Sequence, residues 1–178
     1  MASFDDAIGP TLEHEGFDAY TNDPVDPGGA TKWGISLRFL RADYPDLDLD
    51  GDGDLDADDV RLLTRSQALA IYRDAFWAPY GFQELRSQVV ANKAFDITVN
   101  AGPRQAGLIV QRALKACHRP VDIDGAIGPA TRYAINEADA GRLIVGIRSE
   151  QAGFYRTLIA KKPAMAKYRN GWERRAYA

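Results

Sequence analysis

Near its N-terminus the sequence carries a carboxyl group where an apolar side chain would be expected. Read as a helix, FDDAIGPTLEHE places Ile8, Leu12 and Glu15 within about 80° of Phe4, whereas Glu13 falls about 180° away. Glu15 therefore shares the apolar stripe, and Glu13 faces solvent. A carboxylate beside apolar surface loses solvation, so its pKa rises and it stays protonated near neutrality, the state a general acid requires. A glutamate at a helix end, bonded to backbone or to an arginine, explains this feature equally well on its own. The segment that follows, DAYTNDPVDPGGATKWG at 18–34, is turn-rich and carries Asp18, Asp23, Asp26 and Thr31. Folded back as a short irregular hairpin, it would bring a second carboxylate to face Glu15. A proton donor opposite a carboxylate that positions water is the arrangement hydrolysis of a glycosidic bond needs.

A second cluster has a different use. Residues 46–59, DLDLDGDGDLDADD, hold eight aspartates and no base. Calcium loops of the EF-hand type place oxygen ligands at positions one, three, five, seven, nine and twelve, with glycine at six. Counted from Asp48, those positions fall on Asp48, Asp50, Asp52, Asp54, Asp56 and Asp59, with Gly53 at six and apolar Leu55 at eight. Asp54 would ligate through its carbonyl. Counting from Asp46 puts Ala57 at twelve and loses the match. Asp59 stands where EF-hands usually have a bidentate Glu, which makes the pattern similar to a dockerin loop. The spacing predicts a structural Ca2+ ion, because so many unneutralised carboxylates would repel one another. The alternative is a solvated acidic turn. As an insertion, the loop is expected to stabilise the fold and to lie remote from the chemistry.

Two further sets could touch a sugar. Asn92, Asp96 and Asn100 recur every four residues and form one polar ridge on a helix. Such groups bond hydroxyl and acetamido groups beside a cleft, although Asp96 could as well bond backbone or cap a neighbouring element. Tyr20 in the turn-rich strip would line a cleft or simply pack.

These residues need a helical scaffold. Ser3 and Asp6 form a capping-box-like start for the first helix, with Gly16 ending it. Pro10 implies a looser turn before the regular helix. Further helices are expected at Ser36–Arg41, after a Thr64/Gln67 cap up to Pro79, and at Ser87–Asn100, Pro103–Cys117, Pro129–Glu137 and Arg142–Lys161. The fold class is thus mainly α. Cys117 is expected on the buried face of its helix. The length suits one body at 1–178, with residues 1–100 as a catalytic part carrying an insertion at 46–60 and 101–178 as a helical part.

Composition narrows the partners. The net charge of −3 includes the eight loop aspartates, so the rest of the chain carries +5, and residues 142–178 alone carry +7. A basic surface attracts anionic polymers. No nucleic-acid reading motif accompanies it. A single cysteine excludes an internal disulfide. Without an apolar run long enough to span a bilayer or a signal-peptide pattern at MASFDDAIGP, the chain is expected to be made in the cytoplasm and to remain outside the membrane.

Three separated motifs, HEGFDAYTNDPVDPGGATKWGIS at 14–36, FDITVNAGP at 95–103 and DGAIGPAT at 124–131, resemble glycoside hydrolase family 108, the N-acetylmuramidases of phages and some bacteria. IYRDAFW at 71–77 and GW at 171–172 extend the resemblance over nearly the whole chain. It implies a lysozyme-like helical fold, cleavage of the β-1,4 bond from N-acetylmuramic acid to N-acetylglucosamine, and a peptidoglycan-binding C-terminal third. The catalytic glutamate of the family's EGG-type motif carries over to Glu15; Phe17 departs from that motif but spares the carboxyl. The order Glu, Asp, Thr before a Gly-Ile pair is also similar to phage-type lysozymes. That implies that Asp26 and Thr31 hold the attacking water, with Asp23 as the alternative carboxylate; if Asp26 does so, the two carboxyl groups need the wider separation of inverting enzymes, and the sequence leaves inverting against retaining open. Peptidoglycan glycan strands are the expected partner, the chain is expected to be a monomer, and holin-type release or specialised export is the expected route to the wall. A lytic transglycosylase and a non-catalytic, calcium-stabilised wall-binding module are the rival readings.

Overall fold

Ser3 accepts a hydrogen bond from the Asp6 amide at 3.4 Å, and helix α1, Phe4–Glu15, begins at the next residue. In the computed structural model, residues 1–15, 19–23 and 28–178 are described, with backbone alone at 13–15. The Glu15 side chain, Gly16, Phe17, Asp18 and Asp26 lie outside the described residues. The stripe read from the sequence is present, since Phe4, Ile8 and Leu12 are all buried. Pro10 does not delay the helix, which runs through it from Phe4. Proline cannot donate to the carbonyl four residues back, here that of Asp6. Asn92 replaces the missing donor, its Nδ2 reaching Asp6 O at 3.2 Å.

The protein is mainly α, with 68% helix and one two-stranded sheet among the described residues, the lysozyme-like class the sequence implies. It divides into two compact units, Met1–Ala7 with Asp74–Ala178, and Ile8–Arg73. In the second of these, β1 (Thr31–Lys32) and β2 (Ile35–Ser36) pair antiparallel and lead into α2 (Leu37–Asp43), capped by the Ser36 hydroxyl. The aspartate loop follows, then α3 (Ala57–Leu62) and α4 (Arg65–Tyr72). A reciprocal capping box opens α4: Thr64 Oγ1 accepts from Gln67 N at 3.3 Å, and Gln67 Oε1 accepts from Thr64 N at 2.9 Å. Leu40, Val60 and Leu63 are fully buried, and Ile35, Leu55 and Tyr72 are nearly so. Beyond α4 a π-helical turn, Arg73–Trp77, carries the chain to Pro79, which sits in a short 3-10 turn, Ala78–Tyr80.

The other unit is built on α5 (Gln88–Ala101), α6 (Pro103–Ala116), α7 (Pro129–Glu137), α8 (Ala140–Lys161) and α9 (Arg169–Tyr177). α5 packs on both α6 and α8, and the two compact units meet along the chain at Arg73/Asp74. Phe4, Trp77, Phe82 and Phe95 form an aromatic cluster with centroid separations of 5.5–6.4 Å. Gln88 straps the first turn of α1 by accepting from Ser3 N at 2.7 Å and donating to Ser3 O at 2.9 Å.

Two elements depart from expectation here. α9 and the 3-10 turn before it, Pro163–Tyr168, extend the helical structure beyond Lys161, and Tyr155 of α8 stacks on Trp172 at 4.9 Å. Cys117 is only half-buried, because α6 ends there: His118 turns left-handed at φ 58, and Arg119 N reaches back to Leu114 O at 2.9 Å.

Candidate active site

Thr31 sits at the centre of the described part of the turn-rich strip. Its amide and carbonyl pair with those of Thr21 at 2.8 and 2.9 Å, and β1 pairs it with Ser36 on the other side. Its hydroxyl is 3.3 Å from Gly29 O. The hairpin also caps α2, since Leu37 N donates to Ala30 O at 2.8 Å and Arg38 N to Gly28 O at 3.1 Å. The expected irregular hairpin is therefore present, shorter in its strands than in its hydrogen bonding. Asp23 is exposed.

The hairpin side chains reach for one element. Tyr20 donates its hydroxyl to Ala57 O at 3.3 Å, Lys32 Nζ donates to Arg61 O, and Trp33 Nε1 donates to Leu63 O at 3.0 Å. Ala57 and Arg61 belong to α3 and Leu63 is its C-cap. Tyr72 of α4 adds a bond from its hydroxyl to Trp33 O at 2.9 Å. Tyr20 thus bonds the start of α3 and is 36% exposed.

α3 is also the exit helix of the aspartate loop. Gly51 and Gly53 take φ of 82° and 96°, conformations open to glycine without strain. Asp48 accepts from Gly51 N at 2.6 Å and Gly53 N at 3.0 Å, and Asp50 and Asp52 accept from the amides two residues on. Asp56 caps α3, and buried Asp59 accepts from Leu49 N at 2.6 Å and Asp56 N at 2.7 Å, closing the loop. These two amide bonds hold the Asp59 carboxyl below its usual range, whereas the charge of Asp52 pushes that of Asp54 up. The carboxylates gather as two groups, Asp48/Asp50/Asp52 and Asp54/Asp56/Asp59, each with one oxygen per residue within 4.8 Å of the others. An all-oxygen donor set with Leu55 buried beside it fits a hard cation such as Ca2+.

Of the polar ridge on α5, Asp96 turns inward. Asp96 is buried and takes Arg175 of α9 in a forked pair, Nη2 to Oδ1 at 2.9 Å and Nε to Oδ1 and Oδ2 at 3.1 and 3.2 Å. Among the described residues the Asp96 carboxylate is thus held in the interior by Arg175, the structural alternative to the sugar-binding expectation. Lys93, also buried, donates to Arg175 O, and burial lowers its pKa to about 8. Asn100 is exposed, but its Oδ1 accepts from the Tyr155 hydroxyl at 2.7 Å.

A family model described as glycosyl hydrolase 108 matches residues 8–102. The chain belongs to this family. A second model, described as a predicted peptidoglycan domain, matches residues 105–177. The family-108 chain is also similar to the solved structure of SagA from Brucella abortus, at 26% identity, a TM-score of 0.68, and coverage of 98% of this chain and 93% of that one. No curated protein matches. Together the two models make the chain a glycosyl hydrolase that acts on peptidoglycan. Among the described residues no helix is long and apolar enough to cross a membrane.

Within this family-108 frame several structural roles have faint sequence signals. Trp33-Gly34 between two β-prone pairs is a two-residue turn signal that the Trp disguises. Arg175 is the partner of Asp96, seventy-nine positions away, and nothing local marks it. Gln111, which bonds Asp124 Oδ1 at 2.7 Å and Ala126 O at 3.0 Å, is the buried anchor of the DGAIGPAT motif.

Proposed function

We propose that the chain is an endolysin-type N-acetylmuramidase that hydrolyses the β-1,4 bond between N-acetylmuramic acid and N-acetylglucosamine. Glu15, the last residue of α1, delivers the proton to the leaving oxygen, and Asp26 with Thr31 positions the attacking water. The observation that carries this reading is the hairpin after α1, which holds the Thr31 backbone by two hydrogen bonds to Thr21 and pairs it in register with Ser36, in a chain of this family. A water-positioning hydroxyl needs that kind of fixed backbone.

The test is Glu15→Gln, which keeps the side chain's shape but cannot donate the proton. The variant should melt as the wild type does and release no new reducing ends from purified peptidoglycan; retention of most activity overturns the assignment. Products ending in reducible muramic acid support hydrolysis, whereas anhydro-muramic ends identify a transglycosylase. A trapped glycosyl-enzyme would contradict the inverting arrangement, which needs carboxyl groups roughly 6.5–9.5 Å apart.

We also assign the aspartate loop to Ca2+. Asp48, Asp50, Asp52, Asp56 and Asp59 through carboxylates, and Asp54 through its carbonyl, would hold the ion, which neutralises the loop and stabilises the fold.

A further inference from the structure

Trp33 stands where a hairpin turn ordinarily has asparagine or glycine. Trp33 at φ 56 and Gly34 at φ 75 are the two residues between Lys32 and Ile35, so both central positions of the turn are left-handed, as in type I′. Gly34 accepts that conformation freely. A bulky side chain there is strained, and such strain persists only where the surroundings over-determine it. They do so here. The Trp33 side chain is buried, its indole N–H bonds Leu63 O at 3.0 Å, and its own carbonyl takes the Tyr72 hydroxyl at 2.9 Å. Asparagine would make the turn without strain but could not reach Leu63. The Lys32 and Tyr20 bonds to α3 are exposed, whereas the two at Trp33 are buried, where a hydrogen bond is stronger.

The register that this turn sets pairs Lys32 with Ile35 and Thr31 with Ser36. A slip of one residue turns every side chain of a strand to the opposite face, and a two-residue turn is what fixes register in a hairpin. The Leu37 N–Ala30 O bond continues the same register and Thr21 holds the other edge of Thr31, so the turn sets the register at the closed end of strands only two residues long.

We propose that Trp33 is the positioning residue of the candidate active site: it locks the left-handed turn to Leu63 and Tyr72 and so sets the register in which Thr31 meets the attacking water. This rests on the reading of Thr31 as a water-positioning group.

Trp33→Phe removes the indole donor and keeps an aromatic ring; Tyr72→Phe removes only the hydroxyl. Each is combined with Thr31→Ala, and kcat and KM are measured on soluble peptidoglycan fragments well below the melting temperature. Amide hydrogen exchange is followed at Thr31. Trp33→Phe should lower kcat about tenfold with KM within about twofold, since small misplacements of a positioned group act on the reacting state. Tyr72→Phe should act in the same direction, and in both variants the Thr31 amide should exchange faster. In the Thr31→Ala background neither substitution should lower kcat further. The same fractional loss in both backgrounds overturns the proposal, as does an unchanged kcat in both single variants. Should Trp33→Phe fail to fold, Tyr72→Phe supplies the same cycle. Full activity of Glu15→Gln instead defeats the reading of the whole site, so the two failures are distinguishable.

Discussion

Gly107→Ala should destabilise the unit that holds the peptidoglycan-domain match. A Cβ at Gly107 would lie 2.1 Å from Gly125 O and 2.3 Å from Gly125 C, both backbone atoms. Ordinary carbon contacts need about 3.5 Å, so α6 and the connector must part by more than about 1 Å. Gly125 cannot retreat freely, because its own Cα lies where a side chain would already meet Arg104 O at 2.9 Å. Gln111 holds the same connector from α6, donating to Asp124 Oδ1 and Ala126 O and accepting from Gly125 N at 2.8 Å. Loosening three bonds at about 1 kcal/mol each, together with overpacking of about 1–3 kcal/mol, gives roughly 4–6 kcal/mol. In a chain of this size that lowers the melting temperature by about 8–24 °C. Gly153→Ala is the control: it lies in the interior of α8, nothing stands within 4 Å of its Cβ, and it should stabilise by about 0.5–1 kcal/mol. Thermal and urea denaturation of both variants check the pair. A loss below about 1 kcal/mol for Gly107→Ala would refute the close-approach account.

Chelation should lower the melting temperature and added calcium should restore it, by about 2.7 kcal/mol at a hundredfold excess over Kd; Asp48→Ala with Asp52→Ala should abolish the response. No bound metal by elemental analysis, with a melting temperature indifferent to chelator, defeats that assignment. Asp96→Ala should cost about 3–5 kcal/mol in urea denaturation, because Arg175 is left buried without its carboxylate; a near-neutral result contradicts a structural pair. Lys93 has a folded pKa of about 8, below its ordinary 10.5. Between those values the unfolded chain binds more protons, so stability should rise with pH from about 8 to about 10. The rise should vanish in Lys93→Met; an identical pH profile in both proteins removes Lys93 as its source.

Legibility in the sequence follows the range of the forces involved. The α1 stripe, the Ser36, Thr64 and Ser87 caps and the proline starts at Pro103 and Pro129 are encoded within one or two helical turns, and each appears where its local signal stands. Pro10 misleads because its compensation is remote: Asn92 fills the Asp6 carbonyl from eighty-six residues away. The α5 ridge misleads for the same reason. A four-residue repeat of polar groups looks alike whether it faces a sugar or a buried arginine, and only the docking of α9 decides that Asp96 meets Arg175. Trp33 is hidden because a left-handed backbone is expected of glycine or asparagine, and its anchors, Leu63 and Tyr72, are thirty and thirty-nine positions away.

The aspartate loop has contacts that sequence distance does not show. Its position between two helices, more than thirty residues after Glu15, suggests a staple remote from the chemistry. Its exit helix, however, receives three hydrogen bonds from the hairpin side, through Tyr20, Lys32 and Trp33, spread from the first residue of α3 to its C-cap. Within α3 itself the N-terminus is organised by the loop, since Asp56 caps it and Asp59 ties it to Leu49. A six-residue helix has few internal hydrogen bonds of its own and depends on such outside contacts to persist. Whatever orders the loop therefore also orders the surface on which the Thr31 hairpin is fastened. On the proposed reading, an ion held by Asp56 and Asp59 would act on α3, whose bonds to Lys32 and Trp33 fasten the turn beside Thr31.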